Sequence, residues 1–369
     1  MIYQSRMQKN ILVVCFVLFM NLFTVVHAET LKPQPGAKKT LRNALTTQKV
    51  MRALYTDVAL CESRLIVVGD RGQIVYSNDS GINWLQATVP VNQLLTAVFF
   101  VGKKGWAVGH DGIILHSQDC GLNWQVQHHV PFENQSHISL AGSQSTEGTN
   151  ISDASDSSSD VWDEFDNKKG TPLLDLYFFD ENEGMAVGGY GLFLHTTDGG
   201  IHWNDWADHI DNPDGLHLNT LFVDQDGLAY LGGEMGILFR SSDKGAHWQP
   251  MTSPTEASIY GIHLTKAQTI KKIFIFGLGG ALYASKDAGN SWEKIETSLT
   301  TNLNMALELA SGTLFITTNS GALLKSDKQG LTFSLLPTGE KTALVGVVES
   351  VDHALIIVGQ HGIKRLTQY

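Results

Sequence analysis

GDRGQIVYSNDSGINW, Gly69 to Trp84, decides what kind of fold this chain adopts, because the chain writes it more than once. It returns as GHDGIILHSQDCGLNW (Gly109 to Trp124) and GGYGLFLHTTDGGIHW (Gly188 to Trp203). It appears again as GEMGILFRSSDKGAHW (Gly233 to Trp248) and GLGGALYASKDAGNSW (Gly277 to Trp292). A degraded copy, TNSGALLKSDKQGLTF, runs from Thr318 to Phe333, with Phe333 in place of Trp and Asp327 one position early. A truncated copy, GQHGIKRLTQY, begins at Gly359. The first residues of the copies are 40, 79, 45, 44, 41 and 41 positions apart. A propeller blade of four short strands takes about forty to fifty residues.

The local pattern supplies those strands. Two apolar runs, such as LTAVFF and GWAVG, precede each unit; a third, IILHS, lies inside it, and a fourth, NWQVQ, follows its turn. Short strands separated by Gly, Asp, Asn and Ser read as a meander of hairpins. Seven meanders repeated radially predict an all-β, seven-bladed β-propeller. The 79-residue interval does not hide an eighth blade. Residues 133–169 lack alternating apolar runs and carry eight acids against two lysines among dense Ser, Asn and Gly. Such a composition buries too little surface to offset its ordering entropy, so it predicts a disordered insertion. The seventh copy stops after its third strand. The segment around ALTTQKVM (Ala44 to Met51) has no blade of its own, so the N-terminal strand is expected to close the last blade and leave no open edge.

The second half of the unit, S-x-D-x-G-x-x-W, resembles the Asp-box element often met in sialidases. Its parts have structural uses. Gly81, Gly121, Gly200, Gly245, Gly289 and Gly330 suit a turn position with positive φ. Asp79, Asp119, Asp198, Asp243 and Asp287 can accept backbone N–H bonds two residues on. Trp84, Trp124, Trp203, Trp248 and Trp292, with Phe333 in the degraded copy, are expected to fold over the turn and pack between blades. A catalytic group is needed once per site, and this motif recurs around the rim. A sialidase-like enzyme would also need three arginines converging on a carboxylate. Without Arg6, the arginines are Arg42, Arg52, Arg64, Arg71, Arg240 and Arg365, spread over the chain. A glycan-binding or glycoside-cleaving propeller is the alternative to a binding scaffold.

In a four-stranded meander, the turn between strands two and three shares a face with the links between blades, and the Asp-box turns lie on the other face. The G-x-x-G turns carry Asp70-Arg71, His110-Asp111, Gly189-Tyr190, Glu234-Met235, Leu278-Gly279, Asn319-Ser320 and Gln360-His361. Variable residues on a fixed scaffold are where binding sits, although each alone is also an ordinary solvated turn residue. Arg71, His110, Asp111, Tyr190, Glu234 and His361 are the candidate client contacts. His110, Asp111, Glu234 and His361 do not have the spacing of metal ligands within one element. No glycine-rich loop opens a helix, so neither a metal nor a nucleotide cofactor is expected.

The first 28 residues have the order of a signal peptide: Arg6 and Lys9, an apolar run from Ile11 to Val26, then VHA before Glu29. An uncleaved anchor is the other reading. The expected division is therefore a leader over 1–28, a linker over 29–43 and a propeller over 44–369. Removing Arg6 and Lys9 leaves 24 basic against 37 acidic residues, a formal charge of −13. That balance argues against nucleic acid or an anionic membrane surface as partner. Without the leader no segment is apolar enough to span a bilayer, and an exported monomer in the periplasm or an equivalent lumenal space is expected. Cys61 and Cys120 have no metal-type spacing, and the sequence leaves open whether they pair.

Taken together, the G-x-x-G-x-[IL]-x-x-[ST]-x-D-x-G-x-x-W units, the leader and the seven-fold count resemble the photosystem II stability/assembly factors. AVGGYGLFLHTTDGGIHW is the closest stretch, and the resemblance runs from Leu54 to Leu366 outside the insertion. It implies a non-enzymatic propeller that binds a protein client, such as an assembly intermediate of a membrane protein complex. It also implies a basic patch with arginines near the G-x-x-G turns. Here Arg71 alone matches; its counterparts are Asp111, Tyr190, Met235, Gly279, Ser320 and His361. That departure shifts the expected client towards another membrane complex or an envelope transporter component.

Overall fold

Seven antiparallel sheets hold the strands of the described residues, which are 42–44, 50–128, 170–224, 226–266, 271–327, 330 and 332–369 of the computed structural model. The leader, most of the linker and the insertion at 133–169 lie outside them. Six sheets are four-stranded meanders and the seventh has three strands. The first strands of the blades are Tyr55–Cys61, Leu95–Val101, Leu173–Phe178, Leu218–Val223, Ile259–Leu264, Leu303–Glu308 and Leu344–Glu349. Each lies beside the next, and the last returns to lie beside Tyr55–Cys61. The result is a closed ring with the first strands innermost, the seven-bladed propeller expected from the repeat.

The second strands explain why the core is continuous. Leu65, Ile66, Val67 and Val68 are all fully buried, because both faces of a blade pack on neighbours. An unbroken apolar run is the signature of a strand covered on both sides. Between blades two and three, Trp106 stacks on Phe178 with ring centroids 3.6 Å apart. Its indole N–H donates across the seam to Gly199 O at 3.0 Å. Between blades seven and one, Tyr55, Val58 and Trp84 share one cluster with Ile356 and Val358.

Side chains on the innermost strands also latch blade to blade. Thr56 Oγ1 donates to Leu95 O at 2.6 Å, Thr96 Oγ1 to Leu173 O at 2.7 Å, and Asn304 Nδ2 to Leu344 O at 2.7 Å. Asp57 accepts the Val58 and Val98 N–H groups, both at 2.8 Å, and Asp175 accepts those of Leu176 and Leu221, both at 2.8 Å. Enclosure by protein pushes the Asp57 carboxyl up to about 7, against the pull of its two N–H donors, and the Asp175 charge adds to the rise. The same enclosure pushes Asp175 up to about 6. Both groups keep a partial opening to solvent on the inner strands.

The expected closure of the last blade by the N-terminal strand lies largely outside the described residues. Of the segment from Ala44 to Met51, residues 45–49 lie outside the described residues. At one end the Ala44 N–H bonds Val89 O at 3.1 Å, beside blade one rather than blade seven. At the other, Val50–Arg52 forms a 3-10 turn next to the third strand of blade seven, Gly362–Leu366. A Cβ on Gly362 would collide with Met51 O, just as one on Gly72 would collide with Val91 O in the link from blade one. Residues 51–52 therefore occupy over blade seven the place of an inter-blade link.

The Asp-box turns carry one hydrogen-bond scheme. In blade one, Ser77 Oγ accepts the Gly81 N–H at 2.9 Å and donates to Asp79 Oδ1 at 2.7 Å. Asp79 Oδ1 accepts the Asn83 N–H at 2.8 Å, and Oδ2 takes the Asn83 side-chain amide at 2.7 Å. The aspartate thus reaches four residues on, where two were expected, because the serine hydroxyl already holds the tip of the turn. These donors hold the Asp79 carboxyl down at about 2, the Asn83 backbone N–H most strongly. Gly81 sits at φ +84, and a Cβ there would stand 2.7 Å from Ile356 in the preceding blade. The scheme repeats at Asp119, Asp198, Asp243 and Asp287. Trp124 packs in the cluster that joins blades one and two, and Trp248 in the one that joins blades three and four. In blade six, Asp327 instead accepts from Thr332 Oγ1 at 3.0 Å, and Phe333 turns its edge to Phe274.

The two cysteines pair. Cys61, at the end of the first inner strand, is joined to Cys120 in the Asp-box turn of blade two across 59 residues. Arg64 clasps the same turn through Asp119 O at 3.0 Å and Cys120 O at 3.1 Å.

Candidate functional site

The G-x-x-G turns share a backbone design. In each blade the first variable residue donates its N–H to the carbonyl just before that blade's inner strand. Asp70 reaches Leu54, His110 Leu94, Gly189 Pro172, Glu234 His217, Leu278 Ser258, Asn319 Asn302 and Gln360 Ala343, all at 2.9–3.0 Å. The turns therefore do lie on the link face, opposite the Asp-box turns. The second variable residue in the first five blades is left-handed: Arg71, Asp111, Tyr190, Met235 and Gly279 have φ between +52 and +67. A non-glycine residue rarely adopts that region. Here the following glycine and the tethered N–H hold it there, which turns its side chain away from the blade.

The candidates do not gather into one pocket; they lie on five different blades. Arg71 is exposed and its Nε stands 3.4 Å from Asp70, so its charge is balanced within its own turn. His110 is half-buried, and burial pushes its imidazole below the ordinary value while the neighbouring Asp111 opposes the shift. Tyr190 is 57% exposed and meets the His217 ring edge-on at 4.9 Å. Glu234 takes the His217 N–H at 3.2 Å. His361 is exposed on blade seven, in a shallow depression of about 20 Å³ with Glu340 and Lys364. Lys364 and Glu340 pair at 3.0 Å.

Three of the described arginines are held elsewhere. Arg64 is bound to the Asp-box turn of blade two, and Arg240 reaches Gln249 on the outer strands. Arg365 is bound to Ser80 O and to Asp352. The carboxylate clamp of a sialidase-like site is thus not formed by them. Groups of three or more His, Cys, Asp or Glu side chains able to hold a metal ion do not occur among the described residues.

Sequence reasoning passed over two residues on this face. Met235 is 56% and Leu278 36% exposed, and with Tyr190 they place an apolar side chain on three successive blades. The signal was present in the variable pairs, but attention to charged and aromatic types hid it.

The family model described as photosynthesis system II assembly factor YCF48 matches residues 41–148 and 154–255, more than half of the chain. The chain belongs to this family. A solved structure of YCF48 bound to D1 peptide is similar to it with a TM-score of 0.62 at 17% identity, over 89% of this chain and 100% of that one. YCF48 from Cyanidioschyzon merolae has a TM-score of 0.62 at 16% identity, over 89% of this chain and 98% of that one. At such identities the likeness carries the fold. No curated protein sequence matches the chain. No helix among the described residues is long and apolar enough to cross a membrane. Within the YCF48 family, this member has Arg71 as the one arginine on its seven G-x-x-G turns.

Proposed function

We propose that this protein is an exported, non-catalytic, monomeric propeller whose link face holds a protein client, a membrane protein complex or an envelope transporter component. The observation that carries the reading is the turn face itself. Seven turns are tethered by the same backbone bond while their outward side chains differ from blade to blade. A rigid scaffold with variable turn residues is suited to recognition. The family match supports the reading, and so does a YCF48 structure that carries a D1 peptide. Export to the periplasm or a lumenal space is supported by the leader sequence and by the Cys61–Cys120 pair, since structural disulfides persist in oxidising compartments.

The test is cross-linking and pull-down of the exported form, comparing the natural chain with Arg71→Ala and with a deletion of residues 133–169. A specific client band that weakens in one of the variants is expected. A band unchanged in both would rule out this face, and turnover of a sialoside by the purified protein would overturn the non-catalytic reading.

A further inference from the structure

Blades three to five carry a charge imbalance that blade one does not. Asp211 and Asp214 are exposed in the link that lies against the Tyr190 turn, where Gly191 would meet Asn212 and Gly215. Glu256 is exposed in the link against the Met235 turn, its Cα 3.3 Å from where a Cβ on Gly236 would stand. No cation lies within ion-pair distance of these three carboxylates among the described residues. No lysine or arginine occurs in the G-x-x-G turns of these blades or in the links 206–217, 250–258 and 295–302. Blade one, by contrast, neutralises Asp70 with Arg71 inside one turn.

An apolar crescent of Tyr190, Met235 and Leu278 is thus bordered by carboxylates that have no ion partner among the described residues. Ile82 and Ile201, which are also exposed, belong to Asp-box turns on the opposite face. Their polar neighbours there are consumed by the turn's own bonds. Resting on the proposed function, we infer that the client segment held by blades three to five is an extended polypeptide stretch of apolar side chains interleaved with Lys or Arg. Apolar side chains would cover the crescent and remove it from water. Basic ones would meet Asp211, Asp214 and Glu256, which steers encounter and rejects acidic segments. An anionic membrane surface would be repelled by the same carboxylates.

The test uses the full exported chain and short fluorescent peptides, one alternating Leu and Lys, one Leu and Glu, and one Ser and Lys, read by anisotropy. Saturable binding of the Leu/Lys peptide alone is expected. Tyr190→Ser with Met235→Ser and Leu278→Ser should weaken it by about tenfold or more, as loss of anchor residues does. Asp211→Asn with Asp214→Asn and Glu256→Gln should weaken it similarly and flatten its dependence on salt. Ile82→Ser with Ile201→Ser, on the other face, should leave it unchanged. Equal binding of the Ser/Lys peptide, binding of the Leu/Glu peptide, no binding at all, or full affinity in the crescent variant would each overturn the inference. If the crescent fails while cross-linking still yields an Arg71-dependent client, the client-binding reading stands and only its chemistry is wrong.

Discussion

On the Asp-box face, Ser77, Ser117, Thr196, Ser241 and Ser285 each hold a glycine N–H at 2.8–2.9 Å. The side chains that make the turn are the ones that repeat. On the opposite face, seven backbone N–H groups reach seven carbonyls at 2.9–3.0 Å, and side chains take no part in that bond. The first design spends its polar side chains on holding the fold. The second tethers its turns through a backbone bond that leaves the variable side chains free to differ. That is why one face reads as architecture and the other is the face proposed for recognition, although both come from one repeat.

The contrast breaks most severely at the tryptophans. Trp124 is 3% exposed in the cluster that joins blades one and two. Trp124→Ala should cost about 3–5 kcal/mol, read from the shift of the denaturant midpoint, because cavity and transfer terms add. The disulfide comes next. Reduction, or Cys61→Ser with Cys120→Ser, should cost about 2–4 kcal/mol by freeing the unfolded chain, and the natural chain should unfold earlier with reductant present. Ser77→Ala leaves the buried Gly81 N–H without its acceptor, which should cost about 1–3 kcal/mol. A smaller loss at Ser77 than at an exposed turn residue would show that the hydroxyl is not what holds the blade.

A pH profile sharpens the comparison in a different way. Asp57 and Asp175 have folded-state values raised to about 7 and about 6, above that of an unfolded aspartate. A raised carboxyl contributes stability fully present below about pH 4 and lost as pH climbs through the folded value. Stability should therefore decline between about pH 4 and 7 from these two groups. Asp57→Asn with Asp175→Asn should flatten that slope, whatever its absolute stability. The Asp-box carboxylates act with the opposite sign. Asp79, Asp198 and Asp287 lie at about 2, held down chiefly by donors four residues on, so their contribution is present above the unfolded value and fades as pH falls towards 2. An unchanged slope in the double variant would remove the inner-strand carboxyls as its source.

What was legible follows from how far apart the interacting residues are. The Asp-box places hydroxyl, carboxylate, glycine and indole within eight positions, so local chemistry declares the turn and repetition declares the ring. The turn face was located the same way, and Arg71, Tyr190 and His361 are exposed on it. Other features were silent because their partners are remote. Asp57 finds Val98 across 41 residues, and Cys61 finds Cys120 across 59. Each depends on how successive blades lie together, which no short window contains. The closing strand was read from a missing element, and most of its residues, 45–49, lie outside the described ones. Met235 and Leu278 were visible and undervalued, since an apolar residue in a turn says little until its neighbours on adjacent blades are known to share its face.

The smallest effects belong on that face. Arg71→Ala removes an exposed side chain whose ion partner, Asp70, is itself 42% exposed. Exposed pairs of this kind contribute about 0–1 kcal/mol. Met235→Ala removes a side chain that stands 56% in solvent on a backbone held by its neighbours. Both should change unfolding free energy by no more than about 0.5 kcal/mol, as surface substitutions usually do. Met235 carries the sharper expectation, because its left-handed φ of +52 is imposed by the turn and is shared with Arg71, Asp111 and Tyr190. Met235→Gly, which relieves that conformation, should be neutral or slightly stabilising by the same measure, since glycine adopts positive φ without steric cost. A loss of more than about 1 kcal/mol in either Met235 variant would mean that the side chain packs into the blade. The division between a face that folds and the face proposed to bind would then fail at its centre.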